Sequence, residues 1–175
     1  MSRMLFFFAM CICTFCHAQI PPAKDVFDTA RRGTVDEMKA LMVINKDTIN
    51  AVNNMGFTPL ILACYRGNTE VAEFLIKTVK NIDHDSSSGT ALAAAAVKGN
   101  ARLAKALLER GANPNLADPS GMTPLIYATQ FENIELMKLL ISYKADKKKT
   151  DKEGKTPYDY AVFTKNEEVI NLLKK

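Results

Sequence analysis

Apolar residues in this chain recur at helical spacing in short bursts, and the bursts come in pairs. Leu60 and Ala63 precede Val71, Phe74 and Leu75, and Leu92 and Ala95 precede Leu103, Ala106 and Leu107. Leu125 and Ala128 precede Leu136, Leu139 and Leu140, and Ala161 precedes Val169, Leu172 and Leu173. Spacings of three and four residues put each burst on one face of a helix. Each pair opens on the same polar punctuation. It reads Gly56-Phe57-Thr58-Pro59-Leu60, Gly121-Met122-Thr123-Pro124-Leu125 and Gly154-Lys155-Thr156-Pro157-Tyr158, with a degenerate copy at Ser88-Gly89-Thr90-Ala91-Leu92. The threonines at 58, 90, 123 and 156 are spaced by 32, 33 and 33 residues. A period of that length marks a solenoid of stacked supersecondary units.

The punctuation has a local physical meaning. Glycine permits a positive φ at a hairpin tip. Threonine can accept a hydrogen bond from an orphan amide of the first helical turn. Proline suits the first helical position, where no amide hydrogen is needed. A second signal follows at Gly67-Asn68, Gly99-Asn100, Glu132-Asn133 and Lys165-Asn166. Asparagine is a strong N-cap, so the second helix is expected to start there. Each unit therefore reads as hairpin, short helix, tight turn, longer helix.

At this interval the chain resembles the ankyrin repeats. The residues that carry the resemblance are Gly-x-Thr-Pro-Leu, the alanines at 63, 95, 128 and 161, the Gly-Asn turns, and Gly111-Ala112-Asn113-Pro114-Asn115. The resemblance implies an all-α, ankyrin-type α-solenoid of stacked helix-turn-helix repeats with short β-hairpin loops. The repeats fall at about 24–52, 53–84, 85–117, 118–150 and 151–175. The first has a charged front (Lys24, Asp25, Asp28) and reads as a capping unit whose outer face must be wettable. In the last, Glu167, Glu168, Lys174 and Lys175 suit an exposed terminal cap, with acids near the helix start and lysines near its end.

Four departures from the family pattern stand out. Val79 occupies the place of a left-handed glycine at the end of a second helix, where a β-branched residue is unfavourable. That repeat is one residue short, so an irregular, mobile hairpin is expected around Asn81 to Gly89. Lys144 also replaces a glycine. The family's histidine after Thr-Pro-Leu, which stiffens the stack, is replaced by Ile61, Ala93, Ile126 and Asp159, which implies a less rigid array.

Residues 1–18 differ from the rest. Arg3 precedes a nearly unbroken apolar run from Met4 to Cys16, and Cys16-His17-Ala18 offers small residues where a signal peptidase reads. The pattern is that of a secretory signal, with residues 19–23 as a linker. The run is short for a membrane span. Export, to the periplasm first and beyond the envelope second, is expected of a bacterial protein, with no membrane association after cleavage. Three of the four cysteines leave with the signal. Cys64 then has no partner in its own chain and reads as a small core residue rather than a redox centre.

Composition narrows the function classes. The net charge is only +4, and Lys147-Lys148-Lys149 is the one basic run. It lacks interleaved aromatics, so no nucleic-acid partner is expected. Asp83, His84, Asp85 and Ser86 to Ser88 hold an acid, a histidine and a hydroxyl. As neighbours in one loop they are not held in the geometry of a catalytic triad, nor do they have the paired spacing of a zinc site. No catalytic, cofactor-binding or metal-binding residue is expected, and no enzyme.

What remains is a surface. In a stack of this family, hairpin tips and first-helix ends line one concave face. Mapped onto this chain, the partner-binding candidates are Met55, Phe57, Tyr65, Arg66, Lys98, Met122, Gln130, Phe131 and Phe163. Aromatic residues and arginine in such places are typical hot-spot material, and at least three of the large ones are expected to be exposed together. The chain reads as a monomeric module that binds another protein. The alternatives are a secreted effector or an inhibitory or immunity-type protein that masks its partner, and an enzyme using the His84 loop. N-terminal sequencing of the exported protein is expected to begin at Gln19; a first residue at Met1 would mean a retained segment.

Overall fold

The computed structural model describes residues 25–174. Ten α-helices lie along this stretch: α1 (Val26–Arg32), α2 (Val35–Ile44), α3 (Pro59–Arg66), α4 (Thr69–Thr78), α5 (Ala91–Val97), α6 (Ala101–Glu109), α7 (Pro124–Gln130), α8 (Ile134–Ser142), α9 (Pro157–Thr164) and α10 (Glu167–Leu173). A 3-10 turn, Lys46–Asn50, follows α2 and buries Ile49. No strand occurs among the described residues; the hairpin of the third repeat contributes a single bridge, Ser86 to Gly89.

Each odd-numbered helix packs on the next odd-numbered helix, and each even-numbered one on the next even-numbered one. Contact along the first-helix row is the more extensive, so the stack closes toward that side. The small residues that allow this approach are Ala63 and Cys64, Ala95 and Ala96, Ala128 and Thr129, and Ala161, all fully buried. Leu75, Leu107, Leu140 and Leu173 hold the second-helix row to the same core.

All four threonines cap as expected. Thr58, Thr90, Thr123 and Thr156 accept from the amides of Ile61, Ala93, Ile126 and Asp159. Asp159, one of the residues in the histidine position, completes a capping box with Thr156. The other three are buried and apolar.

The asparagine caps divide. Asn100, Asn133 and Asn166 accept from second-helix amides. Asn68 makes no such bond, against expectation. Its amide instead donates backward to the carbonyls of Ala30 and Gly33, so it ties the second repeat to the first. Asn133 does both jobs, since it also reaches the Gly99 carbonyl.

Val79 is not in a left-handed conformation. It leaves α4 extended, at φ −67° and ψ 150°, and buries its side chain. The extended exit avoids the left-handed strain, and the missing position falls further on, between Gly89 and Thr90, since Gly56 and Gly89 are still 33 residues apart. The following loop, expected to be irregular, is tied to both neighbours. Asp83 accepts from the Asn113 amide, the His84 ring bonds the Gly56 carbonyl, and Ser87 donates to the Met55 carbonyl. Lys144 does take the glycine conformation, at φ 64°. Gly121 shows why the repeat motif keeps its glycine. Its φ is +81°, and a Cβ there would lie 2.8 Å from the backbone of Asp151 in the next hairpin.

The last repeat is a cap in part only. Its acids lie in the first turn of α10. Tyr158 and Val162, however, are 38% and 48% exposed, at registers where Leu60, Leu92, Leu125 and Cys64, Ala96, Thr129 are buried. The internal positions owe their burial to a following repeat, which Tyr158 and Val162 do not have among the described residues.

A left-handed non-glycine residue costs about 1 kcal/mol or more. Lys144→Gly is therefore expected to stabilise the fold by about 1 kcal/mol, whereas Gly121→Ala should destabilise it. Urea unfolding followed by far-UV circular dichroism checks both.

Candidate functional site: a groove on the first-helix face

The hairpins present their tips along the first-helix side. Each is closed by an Asx-type residue at the same register. Asn53 accepts from the amides of Met55 and Phe57, Asp118 from Ser120 and Met122, and Asp151 from Glu153 and Lys155. Ser86 fills that place in the shortened third hairpin.

Two repeats add a strap that the sequence reading missed. The Tyr127 hydroxyl donates to Asp118 and the Tyr160 hydroxyl to Asp151, both at 2.5 Å. Both tyrosines lie four residues after the capping threonine, and both aspartates five residues before it. At the tyrosine register the second and third repeats hold Leu62 and Ala94. Where these smaller side chains leave space, a groove of about 540 Å³ opens. Its lining includes Met55, Phe57, Ile61, Leu62, Tyr65, Arg66, Ala94, Val97, Tyr127 and Arg31. Comparing the four residues at this register reveals the drop in size; reading each motif alone hides it.

The structure gathers four of the nine candidates here. Met55 and Tyr65 are 65% and 46% exposed, and Arg66 is exposed beside them. Phe57 is a correction: it lines the groove but is half-buried and packs on the core. Lys98 stands at the rim, its ammonium 4.5 Å from the centre of the Tyr65 ring, a cation–π geometry. The other candidates lie elsewhere. Met122 is half-buried, another correction, and its sulfur lies 3.6 Å from the Tyr160 hydroxyl. Gln130 and Phe163 flank a separate, shallower depression with Glu132 and Tyr160. Phe131 is 54% exposed and lines neither hollow. The large exposed candidates are thus dispersed along the row, with Tyr65 in the groove and Phe163 three repeats away.

No group of three or more His, Cys, Asp or Glu side chains among the described residues is placed to hold a metal ion. His84 joins two hairpins, and Ser86 Oγ donates to the Gly89 carbonyl. Burial pushes the Cys64 thiol up to about 12, so the nucleophilic thiolate is absent at neutral pH.

This architecture, helix pairs stacked with hairpins on one side, defines a helical-repeat solenoid of the kind that binds through a surface. The profile of the ankyrin repeats (3 copies) matches residues 27–118 and 111–175, and the chain belongs to the ankyrin repeat family. Ankyrin repeats generally mediate protein–protein interaction and are typically non-enzymatic. The chain is similar to chicken (Gallus gallus) inversin, at 35% identity over 109 residues. That match covers 62% of this chain and 10% of inversin. Ankyrin repeat and SAM domain-containing protein 6 of Mus musculus is 33% identical over 101 residues, 57% of this chain and 11% of that protein. Human (Homo sapiens) BCL-6 corepressor-like protein 1 is 32% identical over 101 residues, 57% of this chain and 6% of its own length. No helix among the described residues is long and apolar enough to cross a membrane.

The strap couples stability to pH. Donation from Tyr160 holds the Asp151 carboxyl below its ordinary 3.8. The same bond, with burial second, raises the Tyr160 hydroxyl from 10.0 to about 12. A depressed carboxyl stabilises above its unfolded pKa and loses that contribution as pH falls through the folded one. A raised phenol stabilises below its unfolded pKa and loses it as pH climbs from 10.0 through about 12. Tyr160→Phe is expected to be most destabilising near neutrality, with the deficit shrinking at both extremes. Unfolding titrations across pH test this; a pH-independent deficit would contradict the coupling.

Proposed function

We propose that this chain binds another protein through its hairpin tips and first-helix face, with the groove between α3 and α5 at the centre of contact. The observation that carries the reading is that groove. Its walls are apolar, Met55 and Tyr65 stand exposed on it, and Arg66 borders it. Exposed aromatic and arginine residues around a concave apolar site are what protein interfaces use as anchors. Ankyrin repeats generally mediate protein–protein interaction.

We further propose that binding takes place outside the cytoplasm of a bacterial cell, in the periplasm first. The support is the Met1 to Ala18 pattern, which lies outside the described residues. A partner-masking role in the same compartment, as in an effector or immunity-type protein, would use the same face.

A photo-crosslinking residue at Tyr65 is expected to capture a discrete partner in the source cells, and one at Lys77 on α4 is not. Capture from Lys77 alone would place the interface on the other side of the stack. Met55→Ala with Tyr65→Ala should weaken the captured partner by about 2 kcal/mol and leave the melting curve nearly unchanged, because both side chains are exposed. Phe57→Ala does not serve this purpose, since its ring also supports the core.

A further inference from the structure

We infer that the groove takes a partner segment in which a bulky apolar side chain, best an aromatic ring, is flanked by carboxylates. This rests on the first-helix face being the docking face and adds the chemistry of its occupant.

Shape supplies the first part. Tyr127 and Tyr160 place a ring over their own repeats and anchor it to Asp118 and Asp151. Ala94 stands at the same register with only its methyl group, and it lines the groove. The third repeat therefore lacks a ring that two sister repeats possess. An incoming aromatic side chain supplies it, against Leu62 and Val97. The space of about 540 Å³ is larger than one side chain needs, so neighbouring residues of the segment enter too.

Charge supplies the second part. Two guanidinium groups, Arg31 and Arg66, line the groove, and no carboxylate does. Arg31 is partly neutralised by Asp28 at 3.3 Å. Arg66 makes no ion pair among the described residues. Lys98 adds a third cation at the rim, over the Tyr65 ring. The shallower depression near Phe163 differs: it contains Glu132, which accepts from Asn166. The cations are thus a local feature of the groove in a chain whose overall charge is close to balanced. Guanidinium groups beside an apolar wall favour carboxylates next to an apolar anchor. A nucleic acid is the poorer fit, because a phosphate backbone needs a row of cations rather than a mostly apolar trough.

The test is selection of a random displayed-peptide library on the immobilised full chain, with Ala94→Tyr as counter-target. Two repeats already hold tyrosine at this register, so Ala94→Tyr should fold and fill the groove; its circular dichroism and melting curve verify that. Enriched peptides are expected to share a bulky apolar residue flanked by Asp or Glu, and to lose binding to Ala94→Tyr. Arg66→Glu, at an exposed and unpaired position, should weaken them roughly tenfold without moving the melting curve. Enriched peptides without acidic flanks, but still blocked by Ala94→Tyr, overturn the occupant's charge while the docking face stands. No enrichment, or peptides indifferent to Ala94→Tyr, overturns the groove as a peptide site. Displacement of the peptides by single-stranded DNA at equal salt would assign the site to nucleic acid instead.

Discussion

A helix of seven or eight residues cannot hold itself together in water, because nucleation fixes several residues for each early hydrogen bond. The first helices of this chain, α3, α5, α7 and α9, have that length. They exist because α3, α5 and α7 are clamped between neighbours on both sides and α9 rests on α7, and because each is started by a threonine hydroxyl. The fully buried Ala63, Ala95, Ala128 and Ala161 show how close that clamp is. A larger side chain at this register would push repeats apart and open the core of two units at once. Period, curvature and the alignment of the hairpins all descend from this one close approach.

Polar bonds between repeats set the rest of the alignment. Asn68 and Asn133 reach back to carbonyls of the preceding repeat, Asn115 bonds both Lys144 and Asp146, and Lys152 donates to the Ser120 carbonyl. These bonds occur in a stack without the family's usual histidine. The stiffness they confer is local to the hairpins and turns, which are the elements that present the candidate binding surface. Between the second and third repeats, where the chain is one residue short, His84 and Ser87 carry that alignment.

Much of the fold was legible because its signals are local. A threonine ahead of a helical burst caps it whatever lies next to it, and all four threonines do so, three before proline and Thr90 before alanine. Lys144 at a glycine register adopted the glycine conformation, and the turn closes α8 through the amides of Lys144 and Ala145, which bond the Ile141 and Leu140 carbonyls. At Val79 the register was visible, but not the option of leaving the helix in an extended conformation. Phe57 and Met122 differ from expectation because the stack covers them in part: Phe57 packs on the shared core, and Met122 meets Tyr160 of the next repeat, 38 residues on.

The sequence by itself determined the repeat, its period, the helix starts and the small residues that let units stack. Those features follow from backbone chemistry that acts within a few residues. The tertiary structure decided which side chains the stack leaves free. It left Phe57 half-buried against the core and Tyr65 and Phe163 exposed, and opened a groove where Ala94 stands in the tyrosine register. A cavity belongs to several segments at once, so its depth and charge depend on how three repeats meet, and no single motif encodes it.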